Sequence, residues 1–349
     1  MDAGISEASA PHRSKSSKRR ITLWLKRIIF GLLIALILLI LAGYIYQAIG
    51  ASSDRHTYTA PGQLVDLGGY SLHLYCTGPL DSGNPTVILE SLSGGLSPNW
   101  AWVQPEVAKV TRVCSYDRAG WGWSEPSTAP ISLEGTVSDL HQLLQKAQVP
   151  SPYVLVGHSI GWIYMRKYAA EHPDEVAGIV LVDSSHPDQF ERYPELLSGN
   201  EDYQRWLTIF PFLARIGLFR LYFASGGEFD FAGLPPRQHD EVAAFWSSPE
   251  YFARAREETS SFLDIYTAAQ SLGSLGDLPL FVISQGKNPP AGWSELQAEL
   301  ALLSSDSRHV TLLEATHASL ALDKEDAAKT SHGIIQVVEA AHNGEPLSR

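Results

Sequence analysis

The chain has 349 residues, 44% hydrophobic and 18% charged, a balance that excludes a disordered or fibrous protein and accommodates one large core plus an appendage. Its formal net charge of −12 divides into +5 over residues 1–27, where seven Lys/Arg face only Asp2 and Glu7, and −17 over the remainder. So acidic a body lacks the Lys/Arg surface that neutralises phosphates, so nucleic acid is excluded as a partner.

The first predicted element is a membrane span. Residues 28–46 read IIFGLLIALILLILAGYIY, nineteen residues without a charge, which at about 1.5 Å rise each cover close to the ~30 Å hydrocarbon core. A cleaved signal peptide has an apolar region of only about 7 to 15 residues and a shorter leader, so an anchor is expected. Arg13, Lys15, Lys18, Arg19, Arg20, Lys26 and Arg27 precede the span, and no Lys or Arg follows until Arg55. The positive-inside bias then keeps residues 1–27 as a basic cytoplasmic tail, makes 28–49 a single transmembrane helix, and places the rest of the chain outside the cytoplasm. Tyr44 and Tyr46 suit the outer aromatic belt. The polar stretch 50–62 ends in Pro61-Gly62 and reads as a linker.

From residue 63, short apolar and β-branched runs recur at 64–66, 71–76, 86–89, 110–116, 153–156, 178–182, 280–284 and 310–313. Helical patterns fall between several of them, at 133–147 and at 160–171, the latter stopped by Pro173. Strands alternating with helices predict an α/β fold with a mostly parallel sheet flanked by helices. The alternation breaks over 186–276, which holds no strand-like run but many aromatics at helical spacing, and is read as a helical cap inserted into a core of 63–185 and 277–349.

Gly157-His158-Ser159-Ile160-Gly161 stands between the run Tyr153-Val154-Leu155-Val156 and a helical pattern. A serine on so tight a strand-to-helix turn is held in a strained conformation with its hydroxyl above the sheet, and glycines on either side avoid a clash. Serine is a weak nucleophile at neutral pH and needs a histidine base, which in turn needs an acceptor. Of twelve histidines, His317 is the best placed, after the last strand run and before a final helix. His158 would point away from the nucleophile, and His186 is the weaker competitor. Asp183 ends the first strand after the nucleophile's helix, at the carboxyl edge of the sheet where ligands bind in open α/β folds. The alternative reading of Asp183 is a turn cap formed with Ser184 and Ser185.

Together these residues resemble the α/β-hydrolase superfamily, in its serine esterase, lipase and haloperoxidase-like branch with a helical cap. The resemblance covers about residues 63–340. It rests on Pro85-Thr86-Val87-Ile88-Leu89-Glu90 with Gly94-Gly95, on Tyr116-Asp117-Arg118-Ala119-Gly120-Trp121-Gly122, on the segment around Ser159, on Leu181-Val182-Asp183 and on Thr316-His317. The order Ser159, Asp183, His317 matches the superfamily's. Three departures stand out. Most relatives carry the acid after the strand that follows the cap, where this chain reads Ser284-Gln285-Gly286-Lys287-Asn288-Pro289-Pro290, so Asp183 resembles the subset with an acid one strand earlier. Trp162 replaces a frequent second glycine, and Ser91-Leu92-Ser93 stands where His-Gly or Ser-Gly is usual. The resemblance assigns the oxyanion hole to the backbone N–H groups of Ser93 and Ile160, and Asp117 and Arg118 to loop bracing.

Cys76 and Cys114 are too few for a disulfide scaffold and fit no zinc motif. The superfamily's sheet order sets their strands side by side, so either a cross-strand disulfide or two buried free thiols is expected. The expected chemistry is hydrolysis of a carboxylic ester or related acyl bond through an acyl-enzyme, with no metal or organic cofactor, on a small apolar or aromatic acyl substrate. A peptidase, an acyltransferase or a cofactor-free perhydrolase would use the same triad. A catalytically silent, membrane-tethered binding protein is the reading from a different class.

Overall fold

A computed structural model describes residues 15–229 and 231–347. Eight strands, β1 (Gln63–Asp66), β2 (Ser71–Thr77), β3 (Thr86–Glu90), β4 (Val113–Tyr116), β5 (Tyr153–His158), β6 (Val176–Val182), β7 (Leu280–Gln285) and β8 (Ser307–Leu312), form one sheet in the order β1-β2-β4-β3-β5-β6-β7-β8. β1–β2 and β2–β4 pair antiparallel and all later pairs are parallel. The helices are α1 (Lys15–Thr57), α2 (Val103–Val107), α3 (Leu133–Lys146), α4 (Gly161–Glu171), α5 (Gln189–Arg192), α6 (Pro194–Leu207), α7 (Phe210–Arg215), α8 (Leu218–Ala224), α9 (Pro236–Trp246), α10 (Pro249–Ser260), α11 (Phe262–Gln270), α12 (Trp293–Ala301), α13 (Ser319–Leu322) and α14 (Lys324–Asn343).

The inner strands are buried at nearly every position because both faces of the sheet are covered. Their period of two divides the core. Ile88, Leu155, Ile179, Leu181 and Val282 pack with Leu140 and Leu144 of α3 and Ile163 and Tyr168 of α4, whereas Val87, Leu89, Val154, Val156, Val180 and Ile283 pack with Val103 of α2 and Ile334 and Val337 of α14. At about 25 cal/mol per Å² of buried apolar surface, these two layers are the main stabilising term. Ser132 caps α3 by accepting from Gly135 N, and Asp323 caps α14 by accepting from Glu325 N and Asp326 N.

Boundaries differ from expectation in three places. Val110 belongs to the turn that closes α2, where its N–H donates to Val107 O, so β4 begins only at Val113. The last strand starts earlier than residue 310, because an edge strand pairs on one side only and tolerates the polar Ser307, Arg308 and His309. The first helix does not stop at residue 49. It runs to Thr57, so most of the stretch read as a linker over 50–62 is helical. Contacts across the chain hold that extension. Gln47 Nε2 donates to Ser247 O at 2.8 Å, and Arg220 bonds Gln47 Oε1 at 2.9 Å and Asp54 Oδ2 at 2.6 Å. The first fourteen residues of the basic tail, Arg13 included, lie outside the described residues.

Between β6 and β7 the chain passes through seven helices, α5–α11, with no strand among the described residues. Cys76 and Cys114 face each other in the β2–β4 register and are joined as a disulfide. Among the described residues, one helix by itself, Arg19–Thr57, is long and apolar enough to cross a membrane.

Candidate active site

Ser159 follows β5 directly and has φ +57°. That conformation costs a non-glycine residue about 1–3 kcal/mol and persists only where the surroundings over-determine it. Here they do: Ser159 N–H donates to Val182 O at 3.1 Å and its carbonyl accepts from Ser185 N–H at 3.1 Å. The turn is also too tight for side chains on either side. A Cβ on Gly157 would lie 2.3 Å from Trp162 Cα, and one on Gly161 would lie 2.7 Å from Ser91 O. Trp162 itself turns into the core, fully buried among the α3–α4 layer, and does not border the site.

Asp183, fully buried at the end of β6 with φ +43°, faces His317. Its Oδ2 lies 2.6 Å from His317 Nδ1, and its Oδ1 accepts from Gln285 N–H and from Trp293 Nε1–H, each at 2.9 Å. Burial pushes this carboxyl up, but His317, Trp293 and Gln285 together hold it below the usual carboxylate range. Ser184 and Ser185 do not form a cap with it; Ser184 Oγ donates to Gly157 O at 3.1 Å, and Ser185 Oγ accepts from Tyr266 at 2.9 Å. His317 is about one-third exposed at 34% and lies in the loop between β8 and α13. The end of β7 thus supplies no acid, but it carries Gln285, which touches both members of the pair: its N–H reaches Asp183, and its Oε1 accepts from His317 N–H at 2.9 Å.

Ser159, His317, Ser93 and Ile160 line one cavity of about 320 Å³, at the small end of the ~300–1,000 Å³ typical of small-molecule sites. Its remaining wall is largely apolar and aromatic, with Phe190, Leu196, Phe262, Tyr266 and Trp293. The backbone N–H groups of Ser93 and Ile160 have no acceptor among the described residues. His186 is elsewhere, 3.6 Å from Glu299, and does not line the cavity. Among the described residues one group, His141, His172 and Glu175, brings three potential metal-ligand atoms within 4.8 Å of one another; none of the three borders the cavity.

Two supports carry no mark in the sequence. The first is Glu258, buried on α10, which accepts from Ser93 Oγ at 2.6 Å and Gly94 N–H at 2.9 Å and pairs with Arg118 at 2.8 Å. Tyr251, seven residues earlier on the same helix face, donates to Gly94 O at 3.0 Å. Arg118 also pairs with Glu90 and donates to the carbonyls of Ser91 and Leu92, each at 3.0 Å. Neighbouring Asp117 braces the same region by accepting from Ser97 N–H at 2.7 Å and bonding His73 at 2.8 Å. Burial pulls the Arg118 pKa down, but Glu258 and Glu90 outweigh it and raise the group well above its ordinary value. The loop that carries Ser93 is therefore fixed from the sheet by Arg118 and from α10 by Glu258.

The second support is His158. Its side chain points away from the serine, as expected, and its Nε2 lies 2.9 Å from His317 O, which makes it the donor to that carbonyl. Complete burial, then the neighbouring His317, push its pKa down to about 3. A base whose folded pKa lies below its unfolded value of ~6.5 contributes stability that is complete above pH 6.5 and is lost as pH falls toward 3. The loss from this one group is about 1.4 kcal/mol per pH unit. Urea unfolding at pH 6.5 and 4.5 is therefore expected to show His158→Gln losing about 2 to 3 kcal/mol less than the natural chain. Equal losses in the two proteins would mean that His158 protonates freely in the fold.

The family model for the α/β-hydrolase fold matches residues 84–322. An uncharacterized protein of Schizosaccharomyces pombe is 29% identical over 283 residues, 70% of this chain and 50% of its own length, so the chain spans half of that relative. A 2-hydroxy-6-oxo-2,4-heptadienoate hydrolase of Pseudomonas putida is 29% identical over 124 residues, 35% of this chain and 44% of its own. The crystal structure of MGS-M2, an α/β-hydrolase enzyme from a Medee basin deep-sea metagenome, superposes with a TM-score of 0.61 at 15% identity over 82% of this chain and 99% of its own. At that identity the likeness speaks for the fold. With more than half its length matched by the family model, and with the sheet order and strand-to-helix turn described above, the chain belongs to the α/β-hydrolase fold family.

Proposed function

We propose that this protein is a membrane-anchored serine hydrolase that cleaves a carboxylic ester or related acyl bond through an acyl-enzyme. The observation that carries the reading is the 2.6 Å contact of Asp183 with His317, which lines one cavity together with the strained Ser159. Ser159 Oγ attacks the acyl carbonyl while His317 Nε2 takes its proton, and Asp183 holds the opposite Nδ1–H and stabilises the imidazolium. The N–H groups of Ser93 and Ile160 receive the oxyanion, each such donor contributing about 3 to 4 kcal/mol. Collapse expels the alcohol with the proton from His317, and water then releases the acid by the same route reversed.

The apolar and aromatic wall favours an apolar or aromatic acyl group. The α1 span, the basic residues before it and the Cys76–Cys114 disulfide support placing the N-terminus in the cytoplasm and the catalytic domain outside it.

A fluorophosphonate probe is expected to label the full chain, and Ser159→Ala to abolish labelling. Turnover of p-nitrophenyl esters should vary with acyl length. Labelling that survives Ser159→Ala sinks the serine mechanism, and a flat response to acyl length removes the apolar-substrate reading.

A further inference from the structure

We propose that the corner between α7 and α8 of the cap dips into the lipid surface, so that the cap is a second, monotopic membrane contact beside the α1 span. The inference rests on reading α1 as that span, and it concerns the cap, whose membrane contact the triad does not require.

The apolar run of α1 reaches Tyr46, just before the amide side chain of Gln47, so Gly43 lies three residues inside it, about 4.5 Å below that edge at 1.5 Å per residue. At that level the cap touches the helix. A Cβ on Gly43 would stand 2.4 Å from Ile216 O, so a glycine is needed for the close approach. Gly217, in the left-handed conformation at φ +74°, turns the chain from α7 into α8 against Gly43, Tyr46 and Gln47. Farther along α1, Arg220 binds Gln47 and Asp54, which fixes α8 to the anchor and sets the corner's height. If α1 crosses the bilayer, the corner sits within a few ångströms of the hydrocarbon edge. Interfacial helices bury their apolar faces about 5–10 Å into the same boundary.

The side chains at the corner suit that place. Ile209, Phe212 and Leu218 are 47%, 54% and 46% exposed, so large apolar groups project from the cap where water would be the alternative. Arg215, exposed and without a carboxylate partner among the described residues, can lay its stem along this patch and lift its guanidinium to the phosphates. A lipid surface therefore satisfies both the apolar groups and the cation. Because α10, which carries Glu258, packs on α7, the contact also reaches the helix that supports the Ser93 loop.

Both native cysteines are in the disulfide, so a nitroxide reports only from an introduced thiol. Full-length Phe212→Cys and Leu218→Cys would be labelled in phosphatidylcholine vesicles, with Leu36→Cys in α1 as the span control and Leu80→Cys in the β2–β3 turn as the aqueous control. The expected result is a ratio of oxygen to polar nickel-reagent collisions at Phe212 and Leu218 at least fivefold above that at Leu80. Labels that behave as at Leu80 while Leu36 reports lipid would overturn the proposal and leave the anchor standing. Protection from both reagents would assign the patch to a second copy or another protein, against the proposal. An aqueous Leu36 would remove the span and the proposal with it, while the triad is tested separately by the probe.

Discussion

Asp183→Asn is expected to lower kcat on a p-nitrophenyl ester by about four orders of magnitude, close to 5.5 kcal/mol of transition-state stabilisation, with the fold intact. The size of the effect follows from where the two donors stand. Trp293 Nε1–H and Gln285 N–H both point at Oδ1, so an asparagine must place its oxygen there and its NH₂ toward His317. That amide then donates to Nδ1, which drives the proton to Nε2, the nitrogen that must accept from Ser159. The imidazole remains in place in the wrong tautomer. Fluorophosphonate labelling should slow in parallel, and the urea midpoint should move little, because both donors keep an acceptor. A near-native rate would return the search to another carboxylate, and loss of folding would show that the negative charge matters to structure beyond the site.

The three triad candidates are legible in the sequence because each is marked locally. Ser159 lies between glycines after an apolar run, Asp183 ends another, and His317 follows the last. The groups that hold them carry no such local mark. Glu258 stands 165 residues from Ser93 on an amphipathic cap helix where one buried glutamate looks like any other. Gln285 lies in the very segment that lacks an acid and Trp293 opens the helix after it, so their role becomes visible only when Asp183 is placed beside them. The sequence turns His158 away from the serine, but its bond to the His317 carbonyl is visible only with β5 and the β8–α13 loop in one frame. The helical extension of α1 is illegible for the same reason: Ser52, Ser53 and Asp54 are weak helix formers, and docking on Arg220 of α8 decides their conformation. The sheet order, by contrast, followed from the family resemblance, and the opposed cysteines followed from the sheet order.

The second large effect is expected at Glu258. Its Oε2 accepts two hydrogen bonds from the loop that carries Ser93, and its Oε1 meets Arg118. In Glu258→Gln one of these oxygens becomes an NH₂ facing a donor. If the amide oxygen stays with Ser93 and Gly94, the NH₂ confronts the guanidinium; if it turns, the loop loses its anchor. Arg118 keeps Glu90 and the carbonyls of Ser91 and Leu92, so the charge is not left alone, and the 3–5 kcal/mol that follows complete loss of a buried partner should not be reached. The loop, however, is no longer pinned from the cap side. Removal of an oxyanion donor costs roughly 10²- to 10³-fold in kcat, and displacement of one should cost part of that. We expect kcat to fall about 10- to 100-fold while KM stays within about threefold, because a donor aimed at the developing oxyanion acts on the transition state more than on bound substrate. Ser93→Ala separates position from chemistry. It removes the hydroxyl but keeps both the backbone N–H and the Gly94 bond to Glu258, and it should retain kcat within about threefold. If Ser93→Ala instead falls as far as Glu258→Gln, the hydroxyl itself takes part. If neither variant changes kcat, the loop is held from the sheet by Arg118 alone, and the cap has no part in forming the oxyanion site.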